Sequence, residues 1–586
     1  MNLLQHRGAF SWLSLAAICL CYVAGVWALQ PTNFFGVTHD DMQYFASAKA
    51  VAEHKGYISP SLPGSPPATK YPILYPWMLS WVWRLNPSFP ANLSWAVWLN
   101  VFFGVMLILA GYRLIRRTQG VSKPEALFLT AFCALHPLML FYSSDLMAEV
   151  PFGALALVGL IFADSAMRRD AGLEKSLACG VLFGLTILIR AAGVPLFLGV
   201  LLAAALGRAW RQGLVCAASF SPFFAALFWR SILVVPPAPY GAYSPSIPGW
   251  KQAWLYYTDY VAFRKMASPN GHVVRQLILN QIIYLPSGIT GYFLAPLTER
   301  SLVFWFATTL LVSLAVCLGW TRQARYSHWS PVHFAAALYT LSLLSWDYPD
   351  WERFLLLFLP IIAAALWTQV KKWFLQLLSL AHRASRPYER LAAGSLAFVF
   401  VAAGIATLWN YMGPSRVKWR TTTAKRGMLL PEKEEAYAWL RQNAVPEEHV
   451  VAMEDGSVYL YAGLQSMVAI VPSPGGIYDQ NLVKTDLDHM MDVARAIHAK
   501  YWIVSTDDYA NSQKFFKPLL DSRTAELETV LPVAYRSSRG NVVIHDLACV
   551  SEPETASCFP AAQIIFPEGV PHHESAIGQD LVQKSE

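Results

Sequence analysis

The stretch FGVTHDDMQYFASAKAVAEHKGY, residues 35–57, places two adjacent carboxylates, Asp40 and Asp41, shortly after the apolar run SWLSLAAICLCYVAGVWAL. Carboxylates are costly to keep beside lipid unless a cation, a metal or a proton-transfer task holds them there. The plainer role is a helix start, with Thr38 or Asp40 capping DMQYFASAKAVAEH and the acids favoured by the helix dipole. The two roles are compatible, because a capping carboxylate can turn its second oxygen toward a substrate. His39 could complete a metal set with the acids or serve as a hydrogen-bonding loop residue. Asp145 and Glu149, four apart, share one helical face at the mouth of another apolar run, as a cation site or an interfacial cap.

The elements that must position these groups follow from composition. The 586 residues are 55% hydrophobic, 14% aromatic and 14% charged, far from the roughly one-quarter charged balance of soluble domains. Apolar runs near the ~20-residue bilayer length recur at 11–29, 94–112, 126–143, 150–167, 176–190, 193–207, 213–235, 302–320, 331–346, 354–370 and 391–411, which makes eleven expected spans. The first is too long for a signal-peptide core and lacks a small-x-small cleavage site, so it reads as an uncleaved span. The net charge of +7 comes from clusters flanking the runs and does not call for nucleic acid.

Those clusters set the expected orientation. Arg113, Arg116, Arg117 and Lys123 follow the second span, Arg168, Arg169 and Lys175 the fourth, Arg208 and Arg211 the sixth, Arg322 and Arg325 the eighth, and Lys371, Lys372, Arg383, Arg386 and Arg390 the tenth. A basic cluster after each even-numbered span makes the N-terminus and these loops cytoplasmic. Residues 30–93, 144–149, 190–192, 236–301, 347–353 and everything after 411 then face the other side. Loops 30–93 and 236–301 are longer than connectors need to be. Within the first, YPILYPWMLSWVWRL sets Leu74, Trp77, Met78 and Trp81 at helical spacing over too short a length to cross, as an interfacial helix.

After residue 411 hydropathy falls and a soluble α/β unit is expected at 412–555, with a flexible tail at 556–586. EKEEAYAWLRQN and DLDHMMDVARAIHAKY read as helices, HVVAM, SMVAIV and YWIVS as strands, TAELETVLPVAYRSSRGNVVIHDL as a closing hairpin and TDDYANS as a strand-to-helix turn. Six of the eight cysteines lie in apolar runs as packing residues, whereas Cys549 and Cys558 could close a small disulfide loop outside the cytoplasm. The NLS at 92–94 is a glycosylation sequon placed too close to a span to be used.

HDDMQYFASAKAVAEHKGY followed by KYPILYPWMLSWVWRL resembles the first extracytoplasmic loop of the glycosyltransferase C superfamily, in particular bacterial relatives of protein O-mannosyltransferases and aminoarabinose transferases. SSDLMAEVPFGALAL, GVLFGLTILIRAAGVPLFL and WERFLLLFLPIIAAAL are similar to further elements of that family in the same order, and EEAYAWLRQNAVPEEHVV to the soluble tail of some members. The second acid is Asp41 where many relatives carry Glu, and Tyr-Pro-Ile follows Lys70 in place of Pro-Pro-Leu. The resemblance implies a polytopic α-helical membrane protein of the glycosyltransferase C type with a C-terminal soluble α/β domain. It also implies a polyprenyl-phosphate-linked sugar donor, an acceptor hydroxyl on an envelope glycan, lipid or protein, and inversion at the anomeric carbon.

Such a transfer needs a base for the acceptor proton and cations for the growing phosphate charge. Asp40 is the candidate base; Asp41 could steer the acceptor, bind a metal or hold the active conformation. Lys70, Arg190 and Arg353 share the expected extracytoplasmic side and are the candidates for phosphate contact, against the alternative of snorkelling to headgroups. Tyr44, Tyr71, Asp145 and Glu149 form a second tier, the two acids as a cation or acceptor site. A divalent cation is a candidate cofactor, with His39 the weak ligand. The expected location is the bacterial inner membrane, with the N-terminus cytoplasmic and the C-terminal domain outside. A secondary transporter would show repeated halves and polar midspan positions; a non-catalytic envelope-assembly protein would need neither Asp40 nor Lys70.

Overall fold

The structure is a computed structural model. It describes residues 2–234 except for a few positions between 30 and 37, then 248–266, 278–294, 302–380 except 328–329 and 347–350, scattered positions between 394 and 402, 418–473, 480–509 and 516–551. Every structural statement below concerns these residues. Most of the expected eleventh span, the tail at 556–586 and Cys558 lie outside them.

Ten of the expected spans coincide with helices. In chain order the helices of the first half are α1 (Asn2–Ala28), α2 (Asp40–Ala52), α3 (Leu74–Leu85), α4 (Leu93–Arg117), α5 (Lys123–Ala134), α6 (Pro137–Ser144), α7 (Glu149–Ala166), α8 (Leu173–Ile189), α9 (Gly193–Leu206) and α10 (Trp210–Phe228). They are followed by α11 (Pro248–Thr258), α12 (Tyr260–Met266), α13 (Leu285–Leu294), α14 (Leu302–Tyr326), α15 (Pro331–Leu343), α16 (Trp351–Leu355) and α17 (Leu359–Leu380). Six are long and apolar enough to cross a membrane, or seven if α5 and α6 are one span bent by 50°. That bend falls where Pro137 removes a backbone donor, and His136 Nδ1 accepts the N–H of Leu138 there instead. Helices α9 and α15 are shorter apolar helices, 14 and 13 residues long, that pack on each other.

Close helix packing depends on small residues, since lipid supplies no hydrophobic drive between helices. A Cβ on Gly199 would lie 2.3 Å from Ala335 Cα, so α9 and α15 meet backbone to backbone. Helix α5 begins with a capping box, in which Ser122 Oγ accepts from Glu125 N while Glu125 takes the N–H of Ser122. Glu125 also receives Lys371 Nζ at 2.9 Å, Arg117 meets Asp164 at 3.2 Å, and Arg169 Nε donates to Gly207 O at 3.0 Å. The basic loops after the second, fourth, sixth and tenth expected spans thus touch one another, on the face of the bundle away from Asp40.

Helix α3 is amphipathic, with one face packed on the helices around it. Tyr75, Leu79, Val82 and Trp83 are buried, whereas Trp77 and Trp81 are 44% and 48% exposed on the opposite side. Asn92 of the sequon is fully buried and its amide donates to Asn86 O, which leaves it no access to a glycan.

The C-terminal unit consists of α18 (Lys418–Asn443), α19 (Asp455–Ala462), α20 (Gln480–Asp488), α21 (Asp492–Ala496) and α22 (Phe516–Val530) around a five-stranded sheet of order β2-β1-β3-β5-β4. The strands are β1 (His449–Ala452), β2 (Ser466–Met467), β3 (Ala499–Ser505), β4 (Val533–Arg536) and β5 (Val542–Asp546), with β1 parallel to β2 and β3, and β5 antiparallel to β3 and β4. The hairpin around SSRGN is present, turning at Gly540 with φ of +78°. TAELETV, read with it as strand, is instead the end of α22: Leu520 and Leu527, seven apart, face the core as a helix requires. DLDHMMDVARAIHAKY divides between α20, α21 and β3 rather than forming one helix.

This unit docks directly on the first loop and on α11. Trp250, Ala253 and Trp254 of α11 join its core, Gln252 Nε2 donates to Val471 O at 2.6 Å, and Ser466 N donates to Ser61 O at 2.7 Å. At the contact with α2, a Cβ on Gly456 would lie 2.6 Å from Met42 Cβ. Gly456→Ala is therefore expected to destabilise the docked state by about 1–3 kcal/mol, the usual cost of overpacking. Faster release of the C-terminal unit by limited proteolysis of the purified protein would show it; an unchanged cleavage rate would mean that the contact gives way freely.

Candidate functional site

Helix α2 opens the site. Its N-cap is His39, at φ of 61°, and makes no capping hydrogen bond. Neither Thr38 nor Asp40 caps the helix as expected; Asp40 is its first residue and is free to point elsewhere. Asp41 is fully buried and accepts the N–H groups of Gly36 at 2.5 Å and Met42 at 2.8 Å, so it closes the 36–42 turn. Adjacent carboxylates have thus been given different tasks: Asp41 shapes the backbone and Asp40 faces the interior.

Asp40 is held from two sides. Tyr71 donates its hydroxyl to Oδ1 at 2.5 Å and Arg353 Nη2 donates to Oδ2 at 2.8 Å. Arg353 Nε also donates to Glu149 Oε1, which accepts Arg190 Nη1 at 2.5 Å as well. The result is one chain of groups, Tyr71–Asp40–Arg353–Glu149–Arg190, that joins four elements distant in sequence. The Asp40 and Arg353 side chains keep 17% and 15% exposure, a narrow opening, while Glu149 keeps 4%. Burial alone would raise the Asp40 carboxyl, but the Arg353 and Lys70 charges outweigh it and hold the group well below the usual carboxylate range.

Local structure fixes each member. Arg190 ends α8, where a cation is favoured by the helix dipole. Arg353 sits in α16, whose turn is tied down by Tyr339 donating to Phe354 O at 3.0 Å and by Tyr292 donating to Glu352 O. Asn100 of α4 accepts from the Tyr75 hydroxyl and donates to Asp145 O at 2.7 Å, which sets the turn before Glu149. Lys70 is fixed through its neighbours: Thr69 donates to Thr258 O at 2.5 Å, Tyr57 to Tyr71 O at 2.9 Å, and Arg230 Nε to Ala68 O at 3.0 Å.

The Lys70 ammonium rests in a cage of tyrosines. Its Nζ lies 3.3 Å from the ring centre of Tyr256 and 5.0, 5.6 and 5.7 Å from those of Tyr71, Tyr260 and Tyr257. Burial pushes it down to about 8, against Asp40 and Asp455, which favour the charged form. Tyr44 packs between Tyr71 and Tyr75, with ring centres 4.7 and 5.2 Å apart, and so supports the wall behind Asp40.

Buried polar atoms without partners are uncommon in folded proteins and call for an explanation, such as a water, an ion or a catalytic role. Three such atoms belong to residues next to Asp40 in sequence or in its charge network: His39 Nδ1, Lys70 Nζ and Glu149 Oε2 have no hydrogen-bond partner among the described residues. Burial, then the nearby Asp41 charge, pushes the Asp145 carboxyl well above its ordinary value. The structure therefore brings together Asp40, Lys70, Arg190, Arg353, Tyr71 and Glu149, with Tyr44 and Asp145 lining them. Glu149, expected with Asp145 as a cation or acceptor site, is the shared counter-charge of Arg190 and Arg353. His39 joins no metal set; among the described residues no three of His, Cys, Asp and Glu are grouped to hold an ion. Its Nε2 lies 2.9 Å from Asp455 Oδ1 and 3.1 Å from the Tyr257 hydroxyl.

Sequence reasoning missed Asp455, Gln43 and the tyrosines of α11 and α12. For the tyrosines a signal existed: WLYYTDY, at 254–260, is dense in aromatic hydroxyls for a loop. For Asp455 there was none, since a carboxylate starting a helix in a soluble unit is ordinary.

No family model and no curated protein matches the chain. Among solved structures it is similar to ArnT from Cupriavidus metallidurans bound to undecaprenyl phosphate, at 14% identity and a TM-score of 0.46, over 91% of this chain and 99% of that one. It is similar also to the oligosaccharyltransferase of Archaeoglobus fulgidus in the apo form, at 12% identity and a TM-score of 0.46, over 83% of this chain and 70% of that one. These are distant likenesses, and the chemistry is read from the residues themselves.

Proposed function

We propose that the protein is an integral-membrane glycosyltransferase that moves a sugar from a polyprenyl-phosphate donor to an acceptor hydroxyl outside the cytoplasm, with inversion and with Asp40 as the base. The observation that carries this reading is the juxtaposition of Asp40 with three cations, Lys70, Arg190 and Arg353, in a buried site that retains partnerless polar atoms. A carboxylate can take the acceptor proton; the cations can receive the phosphate as the bond from sugar to phosphate breaks and negative charge grows on its oxygen.

The resting arrangement suits this sequence of events. Asp40, held down by Arg353 and Lys70, is ionised but a weak base. A donor phosphate competes for both cations, loosens their hold on Asp40 and raises its basicity when the donor is in place. The acceptor oxygen then attacks the anomeric carbon opposite the phosphate, its proton passes to Asp40, and the polyprenyl phosphate departs on the cations. Glu149 keeps Arg190 and Arg353 oriented throughout. Asp145, raised toward its neutral form, can offer a hydrogen bond to a sugar or acceptor oxygen.

Lys70 gives the test a pH signature. Only the charged ammonium attracts phosphate, so binding should persist below about pH 8 and weaken as pH rises through that value. Binding of undecaprenyl phosphate to the purified protein, followed by thermal shift between pH 6 and 10, is expected to show this alkaline limb; Lys70→Gln should abolish the limb and weaken binding about tenfold or more at pH 7. Wild-type protein indifferent to the lipid would refute the donor assignment. Solute uptake into proteoliposomes with no polyprenyl-linked sugar consumed would establish a transporter instead.

The same reading puts the C-terminal unit and the site outside the cytoplasm of a bacterial inner membrane. A tag after residue 586 should be digested by protease added to the extracytoplasmic side of intact spheroplasts. Protection until lysis would reverse the orientation.

A further inference from the structure

Asp455 begins α19, at the edge of the C-terminal unit, yet its side chain is fully buried against the first loop. Oδ2 accepts Gln43 Nε2 at 3.0 Å; Oδ1 accepts the N–H of Gly456 at 2.8 Å and lies 2.9 Å from His39 Nε2. His39 and Gln43 bracket the Asp40–Asp41 pair in sequence and in space. Ser61 Oγ donates to Gln43 Oε1 at 3.3 Å, which turns the amide so that its N–H groups face Asp455. The same His39 Nε2 lies 3.1 Å from the Tyr257 hydroxyl, so that His39, Asp455 and Tyr257 meet at one point, and Tyr257 is one wall of the cage around Lys70.

A contact that served adhesion alone would favour apolar side chains here, as at Met42 and Gly456 beside it. Burying a carboxylate is costly unless its charge is used. The charged and titratable groups that face Lys70 are Asp40 from α2, Asp455 from α19, Arg353 from α16 and tyrosines 71, 256, 257 and 260. Two of these carry negative charge, and one of the two comes from the C-terminal unit.

We infer that Asp455 is a positioning residue of the transfer site: its carboxylate holds His39 and Gln43, which flank the Asp40–Asp41 pair, and sets a negative charge behind the Tyr257 wall of the cage around the Lys70 ammonium. The C-terminal unit then completes the site instead of merely covering it. The inference rests on the reading of Lys70 as a phosphate ligand.

The test compares full-length wild type and Asp455→Asn in detergent, with undecaprenyl phosphate as the probe from pH 6 to 10. Asparagine keeps the shape of the side chain and can still accept from Gln43, but removes the charge. The alkaline limb of binding is expected to move about one unit lower, so that affinity at pH 8 falls about tenfold while affinity at pH 6 changes little. A purely structural contact would lower stability without moving the limb. A limb left in place in Asp455→Asn, with wild type binding normally, overturns the inference alone. Wild type that does not bind the probe removes the reading of Lys70, and the inference with it. Should Asp455→Asn not yield monodisperse protein, His39→Asn reads the same linkage, because asparagine is among the residues most often found at positive φ, here 61°. It is expected to weaken binding about tenfold through loss of the grip on the cage; unchanged affinity overturns the inference.

Discussion

Asp40→Asn is expected to lower the rate of sugar transfer by about 10²–10⁴-fold, the range spanned by general-base catalysis, with little loss of protein stability. The substitution is nearly isosteric. Its amide oxygen can still accept from Arg353 or Tyr71, the two groups now 2.8 and 2.5 Å from the carboxylate. What it cannot do is take a proton from an acceptor hydroxyl. Losing the charge also leaves Arg353 more available, so undecaprenyl phosphate should bind at least as tightly at pH 6, where Lys70 is charged without help from Asp40, while the alkaline limb of binding moves to lower pH. The measurement is single-turnover transfer from a polyprenyl-phosphate sugar, paired with lipid binding by thermal shift. Full activity in Asp40→Asn would dismiss Asp40 as the base, and weaker lipid binding with an unchanged rate would make it part of the donor site instead.

Removal of Glu149 carries the largest expected effect on stability. Its Oε1 is the common acceptor for Arg190 and Arg353, all three side chains being at most 17% exposed. Glu149→Ala leaves two buried guanidinium groups facing each other with only Asp40 to balance them, and breaking a buried ion pair in this way costs about 3–5 kcal/mol. A clear fall in Tm in detergent is expected. The cause can be separated from cavity formation by a second change: Glu149→Met combined with Arg190→Met removes charge of both signs and leaves Arg353 on Asp40. That double variant should recover much of the lost stability while transfer stays impaired. A double variant no more stable than Glu149→Ala would place the cost in packing rather than in charge.

These two residues show how unevenly the site was legible. Asp40 announced itself, because a carboxylate pair just beyond an apolar run has few reasons to exist. Glu149 was visible only as one of two acids at a helix mouth, and its weight comes from Arg190 and Arg353, which are 41 and 204 residues away in the chain. Lys70 could be assigned to a side of the membrane from loop charge, but its tyrosine cage draws on α11 and α12, which no periodicity placed beside it. The helix cap expected at Thr38 or Asp40 failed for a local reason: His39 takes the N-cap position with a left-handed backbone and spends its ring on the C-terminal unit.

By itself the sequence determined what depends on short-range physics. Apolar runs of bilayer length must become helices because backbone groups in lipid have no other partners. Basic residues sort to the loops at one end of the helices, the α/β pattern of the tail follows from alternating hydrophobic periods, TAELETV and the division of DLDHMMDVARAIHAKY aside, and α3 is too short to cross a bilayer. Only the tertiary structure decided which charges meet. Arg353 reaches Asp40 across 313 residues and Asp455 reaches Gln43 across 412, contacts whose energy comes from mutual burial. Such pairing depends on how helices of 13 to 27 residues pack and where a distant domain docks, and neither hydropathy nor spacing along the chain encodes that distance.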